Sequence, residues 1–135
     1  MILFRNSILI LDYSPSTDIL EVDYPDFPDY LIPEIKNSLD ILFENVRNYD
    51  IKKLLIDSSK TKTDVRDEDS RVVALYLVNG LVNTRLQKVA RVQSLVASVE
   101  KRAQDNLQHI QQTATLPFQV QNFPNKSEAY IWLKS

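Results

Sequence analysis

Lys53-Leu54-Leu55-Ile56-Asp57 is the stretch on which the fold turns. It is short, apolar through its middle and ends on an acid, which reads as a buried strand. The clearest helical pattern precedes it. Pro33 suits a first helical turn, where its missing N–H costs nothing. Ile35, Leu39, Leu42, Val46 and Tyr49 then recur at steps of four and three and form one apolar stripe. A polar stretch, Ser58 to Asp64, follows the strand and leads into a second helix expected from Asp67 to Thr84. Asp64, Asp67, Glu68 and Asp69 place negative charge where the positive end of that helix dipole favours it. Its flanks are more apolar than those of the first helix, so deeper burial is expected. Gly80 inside it either costs about 1 kcal/mol relative to Ala or allows a close backbone approach.

The same alternation continues in both directions. Upstream, Ser7 to Tyr13 and Ile19 to Tyr24 read as two strands joined by the turn Ser14-Pro15-Ser16-Thr17-Asp18, with Pro25 and Pro28 stopping the second. Downstream, Lys88 to Gln93 reads as a strand. A helix carrying Val99, Ala103, Leu107, Ile110 and Ala114 on one face follows, and Pro117 ends it. Phe118 to Phe123 alternates as a last strand, and Ser127 to Leu133 forms a final helix that Asn125 or Ser127 can cap. The expected order is β-β-α-β-α-β-α-β-α within one α/β domain spanning residues 1–135. Beyond the opening hairpin, a mixed and mostly parallel sheet with helical crossovers is predicted.

Composition narrows the function. The chain is 44% hydrophobic and 25% charged, ordinary for a globular protein. Sixteen basic against 18 acidic side chains give a net charge of −2, which carries no electrostatic footprint for nucleic acid or an anionic membrane. There is no cysteine, which excludes disulfides, thiolate metal sites and a cysteine nucleophile. Gly80 is the single glycine, and phosphate-cradling loops and nucleophile elbows need several. Met1 to Asn6 has no basic leader, and the longest apolar run, Val72 to Val82, is about half of the ~20 residues a membrane span needs. A cytoplasmic protein without stable membrane insertion is expected.

Few residues suggest chemistry. His109 is the sole histidine; it falls off the apolar line of its helix and has no partner for a zinc site. The mixed cluster Asp64, Arg66, Asp67, Glu68, Asp69 and Arg71 reads as a solvated helix start. Arg85, Lys88 and Arg91 make a modest basic spot on an exposed strand flank. Tyr13, Tyr24, Phe27 and Tyr30 read as core residues with polar tips, or as the lining of a pocket or dimer surface.

Asp57-Ser58-Ser59 stands out by position, because it follows a buried strand at the edge where open α/β sheets place ligands and regulatory residues. Two readings stay open. In one, a serine accepts a phosphate beside Asp57 and alters a partner surface. In the other, these are ordinary loop residues bonding to nearby backbone. Exposed serines predict that Ser58→Ala and Ser59→Ala leave stability within about 0.5 kcal/mol.

The runs ILILDYSPSTDILEVDYP, KKLLIDSS, KVARV and FQVQNFPNKSEAYIWL together resemble the small SpoIIAA-like proteins of the STAS superfamily, of the single-domain type common in Bacteroidetes-like bacteria. In that family's anti-sigma-factor antagonists, the loop after this strand carries a phosphorylatable serine in an Asp-Ser-Ser-Gly-type motif. Asp57, Ser58 and Ser59 match its first three positions; Lys60 stands where the glycine would be. The resemblance implies a non-enzymatic regulatory or protein-interaction module in bacterial signalling, with a protein partner, a homodimer being plausible, and no cofactor. A branch similar to CRAL-TRIO domains implies the alternative, a binder of a small apolar or anionic ligand. The first predicts an exposed loop from Ser58 to Asp64, and the second an enclosed apolar cavity.

Overall fold

A computed structural model describes residues 1–24, 26, 31–62 and 65–135. Pro25 and Pro28, read as strand stops, the aromatic residues Phe27 and Tyr30, and Asp64 of the acidic cluster lie outside the described residues. Among those described, the strands are β1 (Ile2–Arg5), β2 (Ile10–Ser14), β3 (Ile19–Asp23), β4 (Lys53–Asp57), β5 (Lys88–Val92) and β6 (Gln119–Phe123). The helices are α1 (Ile32–Asn48), α2 (Asp67–Val82), α3 (Ala97–Thr113) and α4 (Lys126–Lys134).

The strands lie in one sheet in sequence order, β1-β2-β3-β4-β5-β6. The pairs β1–β2 and β2–β3 are antiparallel, and β3 through β6 are parallel. This is an α/β fold with a mixed sheet. Each parallel step moves one strand in the same direction, so right-handed crossovers carry α1, α2 and α3 over the same face. β4 is central and buried on both sides, as parallel strands are. Leu54 and Ile56 join the larger core beneath α1 and α2, whereas Leu55 packs with Ile19, Ala90, Val92 and Phe123 under α4.

Three local expectations need correction. The first strand does not begin at Ser7. Asn6 and Ser7 belong to a turn in which Asn6 Oδ1 accepts the N–H of Ile8 and Leu9 at 2.8 and 2.7 Å, and an additional edge strand, β1, precedes it. The Ile2–Phe4 run was too short to signal a strand by periodicity, and its register is broken by a bulge between Ile2 and Phe4. Tyr49 does not continue the α1 stripe; it sits at the C-cap, 49% exposed, with its ring against Tyr13.

Nor is α2 the more deeply buried helix. Only Val73, Leu77 and Leu81 are buried in α2, against Ile35, Ser38, Leu39, Leu42, Phe43 and Val46 in α1. The reason lies beneath α2, where Ala74 and Val78 line a cavity and are only half-buried.

The remaining elements match their patterns. The β2–β3 turn closes through Ser14 O, which accepts from the N–H of Thr17 and Asp18, and Asp18 takes the left-handed conformation (φ 57°) that Asp tolerates. Asn125 caps α4, its Oδ1 accepting the Glu128 N–H at 2.9 Å. No helix among the described residues is long and apolar enough to cross a membrane.

Candidate functional site: a cavity at the C-terminal edge of the sheet

Alternation along the parallel strands sends Ile56, Val89 and Val120 to the face under α2 and α3. The apolar stripe of α3 turns toward the same face, as its periodicity predicts. Of that stripe only Ile110 is buried; Val99, Ala103 and Leu107 are half-buried, and Ala114 is exposed. Ala74 on α2 and Ala103 on α3 are too short to close the gap to the sheet. An apolar cavity of about 120 Å³ results. The cavity is partly open to solvent at its rim.

The cavity has a polar end where the strands terminate. The β3–β4 ladder continues one residue beyond β3, with Tyr24 N–H donating to Asp57 O at 2.8 Å. This sets the Tyr24 and Ser58 side chains beside one another, facing the cavity. Ser94 closes the rim, its Oγ donating to Thr61 O at 2.7 Å and its N–H donating to Glu100 Oε1 at 2.8 Å.

Arg91, on β5, also faces this end, and its charge is fully engaged. It meets Glu100 through two bonds of 3.1 Å and donates to Asn122 Oδ1 at 2.6 Å. Gln104 completes the ring, donating to Glu100 and accepting from Asn122. Burial alone would raise the Glu100 carboxyl, but hydrogen bonds from Arg91, the Arg91 charge, the Ser94 N–H and Gln104 outweigh it and lower its pKa. Burial pushes the Tyr24 hydroxyl up to about 12, against the opposing field of Arg91.

The three-residue motif divides between the two faces of the sheet. Asp57 is buried on the α4 side, where its Oδ1 accepts the Ser59 N–H at 2.9 Å and its Oδ2 lies 3.5 Å from Lys126 Nζ. Burial raises its pKa, yet the Ser59 hydroxyl and N–H and the Lys126 ammonium overcome this and hold it below the usual carboxylate value. Ser58 points the opposite way, into the cavity, and is only 4% exposed. The loop expected to be open is therefore open only in part: Lys60 and Lys62 are exposed, Ser59 is half-buried, and Ser58 and Thr61 are buried.

Other sequence candidates scatter. Arg85 is exposed beside Asp50, Lys88 bonds the C-terminal end of α4, and Arg91 is enclosed under α3, so they form no common basic spot. Period-2 alternation separates Lys88 from Arg91 across the sheet. His109 is half-buried on α3. Asp67, Glu68 and Asp69 occupy the first turn of α2 as expected, with Arg66 on Asp69 and Arg102 on Asp67. Among the described residues no group of His, Cys, Asp or Glu is arranged to hold a metal ion.

Sequence reasoning passed over Ser94 and Asn106, both buried. Asn106 donates to Ser70 Oγ at 2.9 Å and ties α3 to α2 beside the cavity. A polar residue between Ala103, Leu107 and Ile110 was the available signal. Compared with known proteins, the chain matches no family model, no curated protein and no solved structure.

Proposed function

We propose that this domain is a non-enzymatic binding module of STAS-like type that holds a small, largely apolar molecule between its sheet and helices α2 and α3. The observation that carries this reading is the cavity itself, walled mainly by aliphatic side chains, with polar groups where the strands end and at Ser70, Arg102 and Asn106 on α2 and α3. Its volume is comparable to that of an engineered aliphatic cavity known to take up benzene. The mixed sheet, with antiparallel strands at one edge and parallel ones beyond, supports the STAS likeness at the level of fold. Arg91 and Glu100, the charged groups at the polar end, are paired with each other.

Native mass spectrometry of gently purified protein tests this, alongside Ala103→Trp, which fills the space from α3. A small-molecule adduct present in the wild type and missing from the variant supports the reading. A bare mass, together with no benzene-induced shift of methyl resonances from Leu107 or Val89, would sink it.

A second reading, protein recognition at the loop after β4, draws on one feature. Ser58 and Thr61 line the cavity while Ser59 and Lys60 lie toward solvent, so one loop touches both the interior and the surface. Phosphate mapped to Ser59 in the same spectra would favour it. Ser58 offers a kinase little, because its hydroxyl faces inward.

A further inference from the structure

The hydroxyls at the polar end of the cavity restrict what can fill it. Ser58 is 4% exposed, and its Oγ has no protein partner among the described residues; its N–H donates to Val92 O and its carbonyl accepts from Thr61 N–H. The Tyr24 hydroxyl is likewise without a protein partner, although the backbone on either side of its Cα is bonded, the N–H to Asp57 O and the carbonyl to Thr61 Oγ1. Tyr24 follows β3 and Ser58 follows the adjacent parallel strand β4, and both line the cavity. Buried hydroxyls in native proteins are almost always bonded. Ser58 therefore meets its partner in whatever occupies the cavity, and the half-buried Tyr24, lining the same cavity, offers its hydroxyl to the same occupant.

Charge restricts the occupant further. The guanidinium of Arg91 is spent on Glu100 and Asn122, and the Glu100 carboxylate returns a negative charge to the same wall. Arg102, at the rim, bonds Asp67 at 2.7 Å. Among the described residues lining the cavity, an anion seated against Ser58 would gain no uncommitted cation and would face a carboxylate. A cation would face Arg91. A pure hydrocarbon would leave the buried Ser58 hydroxyl unsatisfied.

We infer that the cavity takes an uncharged amphiphile, a compact hydrocarbon body bearing one hydroxyl or carbonyl oxygen, with that oxygen held by Ser58 and Tyr24. This rests on the cavity-binding reading above and goes further in naming the chemical class.

Three probes of similar shape separate the possibilities: toluene, benzyl alcohol and benzoate, titrated into the protein and followed by methyl chemical shifts of Val89 and Leu107. Benzyl alcohol is expected to bind about tenfold more tightly than toluene, the worth of one net hydrogen bond, with benzoate weakest. Ser58→Ala combined with Tyr24→Phe removes only hydroxyls without protein partners, so the variant is expected to fold. It should abolish the preference for benzyl alcohol while leaving toluene binding intact. Equal binding of toluene and benzyl alcohol, or a preference that survives the double substitution, would overturn the inference while sparing the cavity reading. Tightest binding by benzoate would also overturn it, in favour of an anion. If none of the three perturbs Val89 or Leu107, the cavity reading fails and this inference falls with it.

Discussion

The ring of Phe43, on α1, lies across the position that a β-carbon on Gly80 of α2 would occupy. The glycine is what lets the two helices approach this closely, and of the two explanations the sequence left open for Gly80, close approach is the one realised. Phe43 is 6% exposed and its ring also packs against Tyr76, so it has little room to retreat.

Gly80→Ala should therefore destabilise the fold. Ala gains about 1 kcal/mol of helix propensity, while overpacking a filled core costs about 1–3 kcal/mol. A net loss is expected in urea denaturation, and Phe43→Leu in the same chain should recover it. A stabilised Gly80→Ala protein would show that α1 and α2 can part freely.

Ser58→Ala and Ser59→Ala should move stability in opposite directions. The first removes a buried hydroxyl without a protein partner and is expected to stabilise the unliganded protein by about 1 kcal/mol. The second removes a hydroxyl that helps hold the Asp57 carboxyl ionised and is expected to destabilise the fold. This replaces the expectation of two near-neutral exposed serines. Denaturation midpoints of the two variants, compared without added ligand, check the signs.

Acid should weaken the fold through Glu100 and Asp57. Both carboxyls are lowered in the folded protein, so the unfolded chain binds their protons first. Their stabilising contribution is present above the ordinary values of 4.5 and 3.8 and is lost as pH falls through the lower folded values. Denaturation measured from pH 7 down to about pH 2 should show this fall. Glu100→Gln should flatten the part that Glu100 supplies. An unchanged slope in that variant would mean that the ring around Arg91 does not favour the ionised carboxylate.

Alkali should act through Tyr24. Its folded value, about 12, lies above the ordinary 10.0, so its contribution is intact below pH 10 and is lost as pH rises toward 12. Tyr13, raised similarly by burial and by its bond to Asp18, adds to the same limb. Tyr24→Phe should shallow the alkaline decline, and absorbance of tyrosinate against pH should show one late-ionising group fewer. A Tyr24 that titrates near 10 would place its hydroxyl in solvent instead of the cavity.

Periodicity by itself determined the β2–β3 hairpin, the alternation of strands and helices from α1 onward, the apolar faces of α1 and α3, and the Asn125 cap. These rest on residues a few positions apart, where repeats of 2 and 3.6 and the chemistry of turns and caps are written locally. The tertiary structure alone decided the rest. It added β1, whose short bulged run acquires meaning only beside β2. It separated Asp57 from Ser58 onto opposite faces and enclosed Arg91 with Glu100. It also left a space between Ala74, Ala103 and the sheet. A cavity is a mismatch between surfaces drawn from distant parts of the chain, and Tyr24, Ser58, Arg91 and Ala103 share no local pattern that could announce it. Each looks ordinary in its own strand or helix, and the site exists only once parallel pairing has set their elements side by side.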